Sequence, residues 1–283
     1  MSAVAERTSV VVALGRCRPP SPDAEGWFNP RTELGRGYRH LPDAAHYLLA
    51  AARQVAPLLD RPAGDRWGVS IGSAFGSARL HDDIERSVAD GQAHLLSPTA
   101  APYFAHNMVA SQLSAEYGIT GMCLSVHTPG TAGLDAIGLA TSALDAARVS
   151  RAIVGGFEAP RREAAPGERA EGAMVLVLAA DAALTADTPA LARITVRTYA
   201  RGELERVVRG LDSAVPTVYT AVDDRTGADL RKLVPDDADL TVTSNSLAAL
   251  WPLPDMIESG ETAGTVVAVA GSVVVATVKP IHA

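Results

Sequence analysis

A chain of 283 residues, 47% hydrophobic and 20% charged, is long enough to bury a substantial core, either as one large domain or as two halves sharing an interface. Its 25 Lys and Arg against 32 Asp and Glu leave a net charge of −7, which argues against a nucleic-acid partner because phosphate binding needs clustered cations. Cys17 and Cys123 lack CxxC spacing and specify neither a disulfide framework nor a metal site, so both are expected to be reduced and structural. Met1 to Arg7 lacks the charged-then-apolar pattern of a signal peptide, and no window approaches the roughly 20 apolar residues of a membrane span. The expected location is the cytoplasm, with no membrane partner.

Taken in chain order, the pattern alternates strands and helices. Apolar runs at Ser9–Ala13, Trp67–Ile71, Ala152–Val154 and Met174–Leu178 are short enough for buried strands. Helical spacing appears at Asp43–Leu59 after Pro42, at Asp82–Ala89, at Asn107–Tyr117 and at Thr131–Arg148. Arg18–Gly37 and Arg161–Arg169 read as loop segments. Beyond them the pattern predicts a strand at Ile194–Val196, helices near Glu203–Leu211 and Asp223–Leu233, and a closing hairpin of Thr265–Ala270 and Val273–Val278 turned at Gly271-Ser272. No short-period repeat is visible.

The most informative stretch is Gly121 to Gly138, GMCLSVHTPGTAGLDAIG. Leu124, Ser125 and Val126 favour extended backbone, Pro129 fixes its own φ, and Gly130 tolerates angles that strain other residues. Ala132, Leu134, Ala136, Ile137, Ala140 and Leu144 then have helical spacing. This is a strand, a sharp turn and a buried helix. A cysteine at such a turn would be driven toward thiolate by the helix N-terminus, but Gly130 has no side chain to activate.

These residues resemble the ketosynthase branch of the thiolase-fold enzymes, and within it the non-catalytic chain length factor. Ketosynthases read like TACAS-G-x-NAIG here, whereas Gly133-Leu134-Asp135-Ala136 matches the GLDA of chain length factors. Ser97-Pro98 followed by His106-Asn107-Met108 and Gln112 is similar to the family's interface segment. Ile153 to Ala159 resembles its strand ending in a Gly-Gly-x-Glu-Ala turn, and Glu171 to Leu178 its next strand. The match runs over roughly residues 9 to 180.

The resemblance implies an α/β, thiolase-like layered αβαβα fold with an abbreviated C-terminal half. It would form a single domain over 1–283, its N-terminal half about 1–185 and its truncated C-terminal half about 186–283. Active members carry two histidines in the second half, one of them in a segment like HGTGT. Here no histidine lies between His127 and His282, and the corresponding Leu240–Ser246 has no imidazole. Condensation needs a thiolate and groups that stabilise enolate charge. The expected catalytic set is therefore empty, with Gly130 in the nucleophile position. Chain length factors usually carry glutamine there, so glycine indicates a divergent, shortened branch such as those accompanying ketosynthases that make reduced, polyene-like chains.

By the same resemblance the partners are an active ketosynthase subunit, in a heterodimer or a dimer of heterodimers, and an acyl carrier protein. No cofactor or metal is expected, since the substrate rides on the carrier's phosphopantetheine. Cys123, Leu124, Ser125, Val126, His127 and Thr128, with His106 and Asn107, would form the partner interface. Tyr103, Phe104 and Met108 would wall the acyl tunnel, although each could equally be plain core. Arg16, Arg18, Arg31, Arg36 and Arg39 could touch the carrier or form a solvated face. Glu158 and Glu171 read as structural. Two alternatives stay open: a degenerate stand-alone acyltransferase or decarboxylase using Cys123 or Ser125, and a homodimeric structural scaffold.

Overall fold

A computed structural model describes residues 8–21, 24, 26–38, 41–59, 63–159, 163–164, 169–260 and 263–281. Expectations for Met1–Arg7, Arg39, most of Arg161–Arg169 and His282 lie outside the described residues.

The N-terminal half contains strands β1 (Thr8–Cys17), β2 (Trp67–Gly72), β3 (Cys123–Val126), β4 (Arg151–Glu158) and β5 (Gly172–Ala179). Between them lie helices α1 (Pro30–Glu33), α2 (Asp43–Val55), α3 (Ala78–Ala89), α4 (Met108–Tyr117) and α5 (Ala132–Asp145). The C-terminal half follows with β6 (Ala192–Ala200), α6 (Leu204–Arg209), β7 (Thr217–Ala221), α7 (Asp224–Arg231), β8 (Asp239–Val242), α8 (Pro252–Glu258), β9 (Gly264–Val269) and β10 (Ser272–Pro280). The apolar runs are strands, as expected, but longer. Three elements were not read from the sequence: α1 is a single helical turn inside the segment Arg18–Gly37 expected to be loop, β7 is only five residues long, and α8 is a short helix with Pro252 and Pro254 in its first turn. The strand-like start expected at Leu240 is β8, four residues and mostly exposed.

All ten strands form one sheet in the order β3-β2-β4-β5-β1-β6-β10-β9-β7-β8. Read outward from the β1–β6 junction, the halves follow one plan. β2 runs parallel to β3 and β4 while β5 is antiparallel to β4 and β1; β7 runs parallel to β8 and β9 while β10 is antiparallel to β9 and β6. The C-terminal half, expected to be abbreviated, thus keeps the full strand set. Its economy is in the helices: six residues in α6 follow its first strand, against thirteen in α2.

Side-chain alternation creates the layers. On β5, Met174, Leu176 and Leu178 join Leu134 and Ile137 of α5 in a central core, and Val266 and Ala268 of β9 enter it from the other half with Leu253 and Ile257 of α8. The opposite face of β5 packs through Val175 and Val177 under α2 and α4, while Val267 and Val269 of β9 pack under α6 and α7. The order is helix, sheet, central helices, sheet, helix.

Close approach of α5 to β2 depends on glycine. A Cβ on Gly72 would stand 2.1 Å from the Ala132 carbonyl oxygen, and one on Gly133 would stand 2.4 Å from Leu250 Cδ1. Gly91, by contrast, has a φ of +73° and open space around it. Gly72→Ala should therefore cost about 3 kcal/mol or more, because backbone must move, while Gly91→Ala should cost only about 1 kcal/mol of conformational strain. Denaturant unfolding of both variants checks the contrast.

Candidate functional site

Strand β3 ends at Val126, and the turn from His127 leads into α5. Gly130 sits in this turn at φ +75°, buried. Its N–H, which the sequence left exposed at a helix start, donates to the Ser244 carbonyl at 2.7 Å. A side chain added at Gly130 would place its Cβ 3.5 Å from Val222 Cβ and 3.6 Å from the Thr243 carbonyl oxygen. Both neighbours come from the C-terminal half, following β7 and β8. The site meets packed apolar and backbone atoms, not a base. The next turn of α5 is fastened by Thr131, whose hydroxyl donates to Asp135 at 2.8 Å; burial raises the Asp135 carboxyl above the ordinary aspartate range.

Beside the turn lies Glu158, fully buried at the end of β4. Its Oε1 accepts from Ala74 N (2.7 Å), from Ser246 N (3.2 Å) and from the Ser246 hydroxyl; its Oε2 accepts from Ser73 Oγ (2.9 Å) and Phe75 N (3.1 Å). Burial pushes the carboxyl pKa up, and these five donors pull against that shift. Asn245, beside Ser246, donates to the Ala170 carbonyl and accepts from Leu247 N. Glu171, at the start of the same hairpin arm, accepts from Arg79 at 2.6 Å and from the Trp27 indole at 2.6 Å.

The expected interface residues gather at one end of the molecule. β3 is the terminal strand of the sheet, with one side unpaired. It is not an ordinary buried strand: Cys123 and Leu124 are exposed, while Ser125, Val126 and Thr128 are half-buried. His106 and Asn107 are exposed, and the His106 and His127 rings lie 5.0 Å apart, joining the 98–107 segment to the strand. The tunnel candidates separate. Tyr103 is core, with its hydroxyl donating to Gln112 at 3.2 Å; Met108 packs partly into the same core; Phe104 is 48% exposed and stacks on His81.

Cys17 is buried and its thiol is pushed up to about 12, chiefly by burial and then by Glu33 and Glu171. Cys123 is also free, and its Sγ accepts from Ser114 Oγ at 3.3 Å. Among the described residues, Ser125 Oγ is buried without a hydrogen-bond partner. Of the arginine group, Arg16 faces Glu258 at 3.5 Å. Val222, Thr243, Ser244 and the Glu158–Ser246 contact were not anticipated. The one sequence signal toward them is the alignment of Leu240–Ser246 with the family's histidine segment.

His127 turns Nδ1 to the Ser73 carbonyl (3.1 Å) and Nε2 to the His106 carbonyl (3.2 Å). Burial holds its pKa below the ordinary histidine value, with the neighbouring His106 acting in the same direction and the two carbonyls opposing. A depressed folded-state value means that the unfolded chain binds the proton first, so the stability from His127 is present above an unfolded pKa of about 6.5 and is lost as pH falls below it. Between pH 7.5 and 5.5, wild-type unfolding free energy should therefore fall more than that of His127→Gln, as measured by urea titration at both pH values.

A family model described as beta-ketoacyl synthase, N-terminal domain, matches residues 34–181, just over half of the chain. Solved structures with the same fold include the AntDE:AntF complex, described as a type II PKS acyl-carrier protein in complex with its ketosynthase bound to the hexaketide. It has 16% identity, coverage of 98% of this chain and 100% of that one, and a TM-score of 0.75. The ishigamide ketosynthase/chain length factor is similar at 19% identity, with 97% and 100% coverage and a TM-score of 0.70. A beta-ketoacyl synthase from Burkholderia phymatum is similar at 13% identity, with 98% and 100% coverage and a TM-score of 0.69. At these identities the likeness to solved structures establishes a common fold. The residues matched by the family model span α2, the glycine turn and the Glu158 strand, and the chain belongs to the beta-ketoacyl synthase family.

Proposed function

We propose that this chain is a catalytically silent chain length factor, which pairs with an active ketosynthase and helps to shape the tunnel in which an acyl chain grows on acyl carrier protein. The observation that carries the reading is the glycine turn. Gly130 offers no nucleophile, its N–H is bonded to the Ser244 carbonyl, and the groups nearest to a side chain there are the apolar Val222 and the Thr243 carbonyl. Nucleophilic catalysis needs a side chain with a base in reach, and oxyanion stabilisation needs free donors. The turn provides neither. Histidine is also absent from the described part of the C-terminal half.

The free edge supports a partner-subunit role. Edge strands with unpaired N–H and C=O groups are usually covered, charged or shortened. β3 carries no charge in Cys-Leu-Ser-Val, and its own Leu124 is exposed. Pairing with a second subunit would satisfy that edge and bury His106, Asn107 and residues 123–128. In this reading Phe104 and Met108 limit the tunnel, and Tyr103 belongs to the core beside them in sequence. A reduced, polyene-type product is part of the proposal and rests on the glycine at position 130 and the shortened helical cover. The homodimeric scaffold would use the same uncharged edge, paired with a second copy. The stand-alone enzyme is less favoured, because the polar neighbour of Cys123 is a serine hydroxyl.

Co-expression with the ketosynthase encoded nearest to this chain, followed by light scattering, should give a one-to-one complex; a stable homodimer that ignores the ketosynthase would sink the proposal in favour of the scaffold. In the reconstituted complex, Phe104→Ala or Met108→Ala should lengthen the products, read by mass spectrometry of the released chains. Unchanged length with both would reject the tunnel assignment.

A further inference from the structure

Helix α3 is well formed but thinly covered: none of its twelve residues is buried. Leu80, Ile84 and Val88 recur every four residues and share one face, with His81 at its border and Glu85 on the flank beyond. The stripe turns outward along the helix. Leu80 packs against the core beneath α2 and α4, Ile84 is half-buried, and Val88 is 53% exposed. An amphipathic helix draws most of its stability from whatever covers its apolar side.

The chain on either side of this stripe extends the same surface. The Gln92 N–H donates to the Ser87 carbonyl at 2.8 Å, folding residues 91–95 back on the helix end, and there Leu95 is 68% exposed. At the His81 end, the Phe104 ring stacks on the imidazole with 5.0 Å between centroids. Two residues further on, the His106 ring meets His127, which follows β3 directly. Two ring contacts therefore join the α3 face to the free edge of the sheet. Seven large apolar side chains are exposed among the described residues, and four of them are Val88, Leu95, Phe104 and Leu124, so apolar exposure is concentrated on this side of the chain.

Size gives a second argument. The four residues of β3 together with His106, Asn107, His127 and Thr128 fall well short of the roughly 20–30 residues a side found in stable interfaces. The α3 face adds area next to an edge that is too small alone. Its rim is acidic, with Glu85 and Asp90 exposed beside the stripe. Arg79 turns inward to Asp43 and Glu171, and Arg86 lies 3.8 Å from Asp83. A surface that fits this face has apolar pockets ringed by Lys or Arg.

We infer that the α3 face and Leu95 are a docking surface for the same subunit that pairs with β3, the ketosynthase, an inference that rests on the partner-subunit reading above. Val88 and Leu95 enter apolar pockets of that subunit, and basic side chains around the pockets meet Glu85 and Asp90. The β3 edge sets the register through main-chain hydrogen bonds, and the α3 face contributes the buried area.

The test uses the complex co-purified with the ketosynthase encoded nearest to this chain, diluted serially and followed by mass photometry. Val88→Ser/Leu95→Ser is expected to raise the dissociation constant about tenfold or more, the scale of losing buried apolar anchors. The urea midpoint of the isolated chain should stay unchanged, because both side chains are exposed in it. Hydrogen exchange supplies an independent readout: the amides of residues 84–96 should exchange more slowly in the complex than in the free chain. A complex that binds wild type and variant equally, or one that adds no protection at 84–96, would overturn the α3 surface and leave the partner-subunit reading standing. Failure of the wild-type chain to bind the ketosynthase would remove both. A homodimer weakened by the same substitutions would give the face to a second copy of this chain and overturn its assignment to the ketosynthase.

Discussion

Glu158 places a carboxyl group at the centre of the molecule, where a buried polar group is tolerable only if the surrounding chain supplies its hydrogen bonds. The five donors come from two places: Ser73, Ala74 and Phe75 after β2, and Ser246 after β8. One side chain therefore ties the N-terminal half to the C-terminal half, and the tie cannot loosen without leaving a buried carboxyl group and buried amides unmatched. The same Ser73 whose hydroxyl serves Glu158 offers its carbonyl to His127, so the tie extends to the free edge of the sheet. It also fixes the 243–246 segment, whose Ser244 carbonyl closes over the Gly130 N–H.

From this constraint the site follows. α5 is held between the two sheet halves by small residues at the points of contact, with Gly72 and Gly133 allowing backbone and Leu250 to approach. Its N-terminus, which would otherwise present donors to a substrate, opens instead onto the packed interior of the second half. The backbone there is a strand, a sharp turn with Gly130 at φ +75° and a helix, and the Ser244 carbonyl caps the Gly130 N–H. In the proposed reading this releases the turn from chemistry and leaves the edge and the 98–107 segment to act through shape.

The two halves spend the same strand plan differently. In the N-terminal half α2 and α4 cover the outer sheet face; in the C-terminal half the cover is reduced to α6 and α7, and the sequence responds by placing threonine, arginine and lysine on the outward positions of β6 and β10. Polar side chains there avoid the cost of an exposed apolar face. Charged residues at the edge of β3 would have the opposite effect, blocking strand addition, and none is present in that strand.

What the sequence determined by itself was largely local. Apolar runs and helical spacing marked β1, β2, β4 and β5, the long helices and the closing hairpin, because a buried strand or a buried helix face leaves a periodic record. The absence of a side chain at Gly130 and of imidazoles between His127 and His282 was likewise legible at once. Helix α1, strand β7 and helix α8 were not: they are short, and a few residues leave too little periodicity to read. The duplicated topology, the Glu158 tie, the Ser244 cap on Gly130 and the separation of Tyr103 from Phe104 were decided only by tertiary structure. Each depends on long-range contacts between residues tens of positions apart, and such contacts leave no periodicity for a single sequence to display.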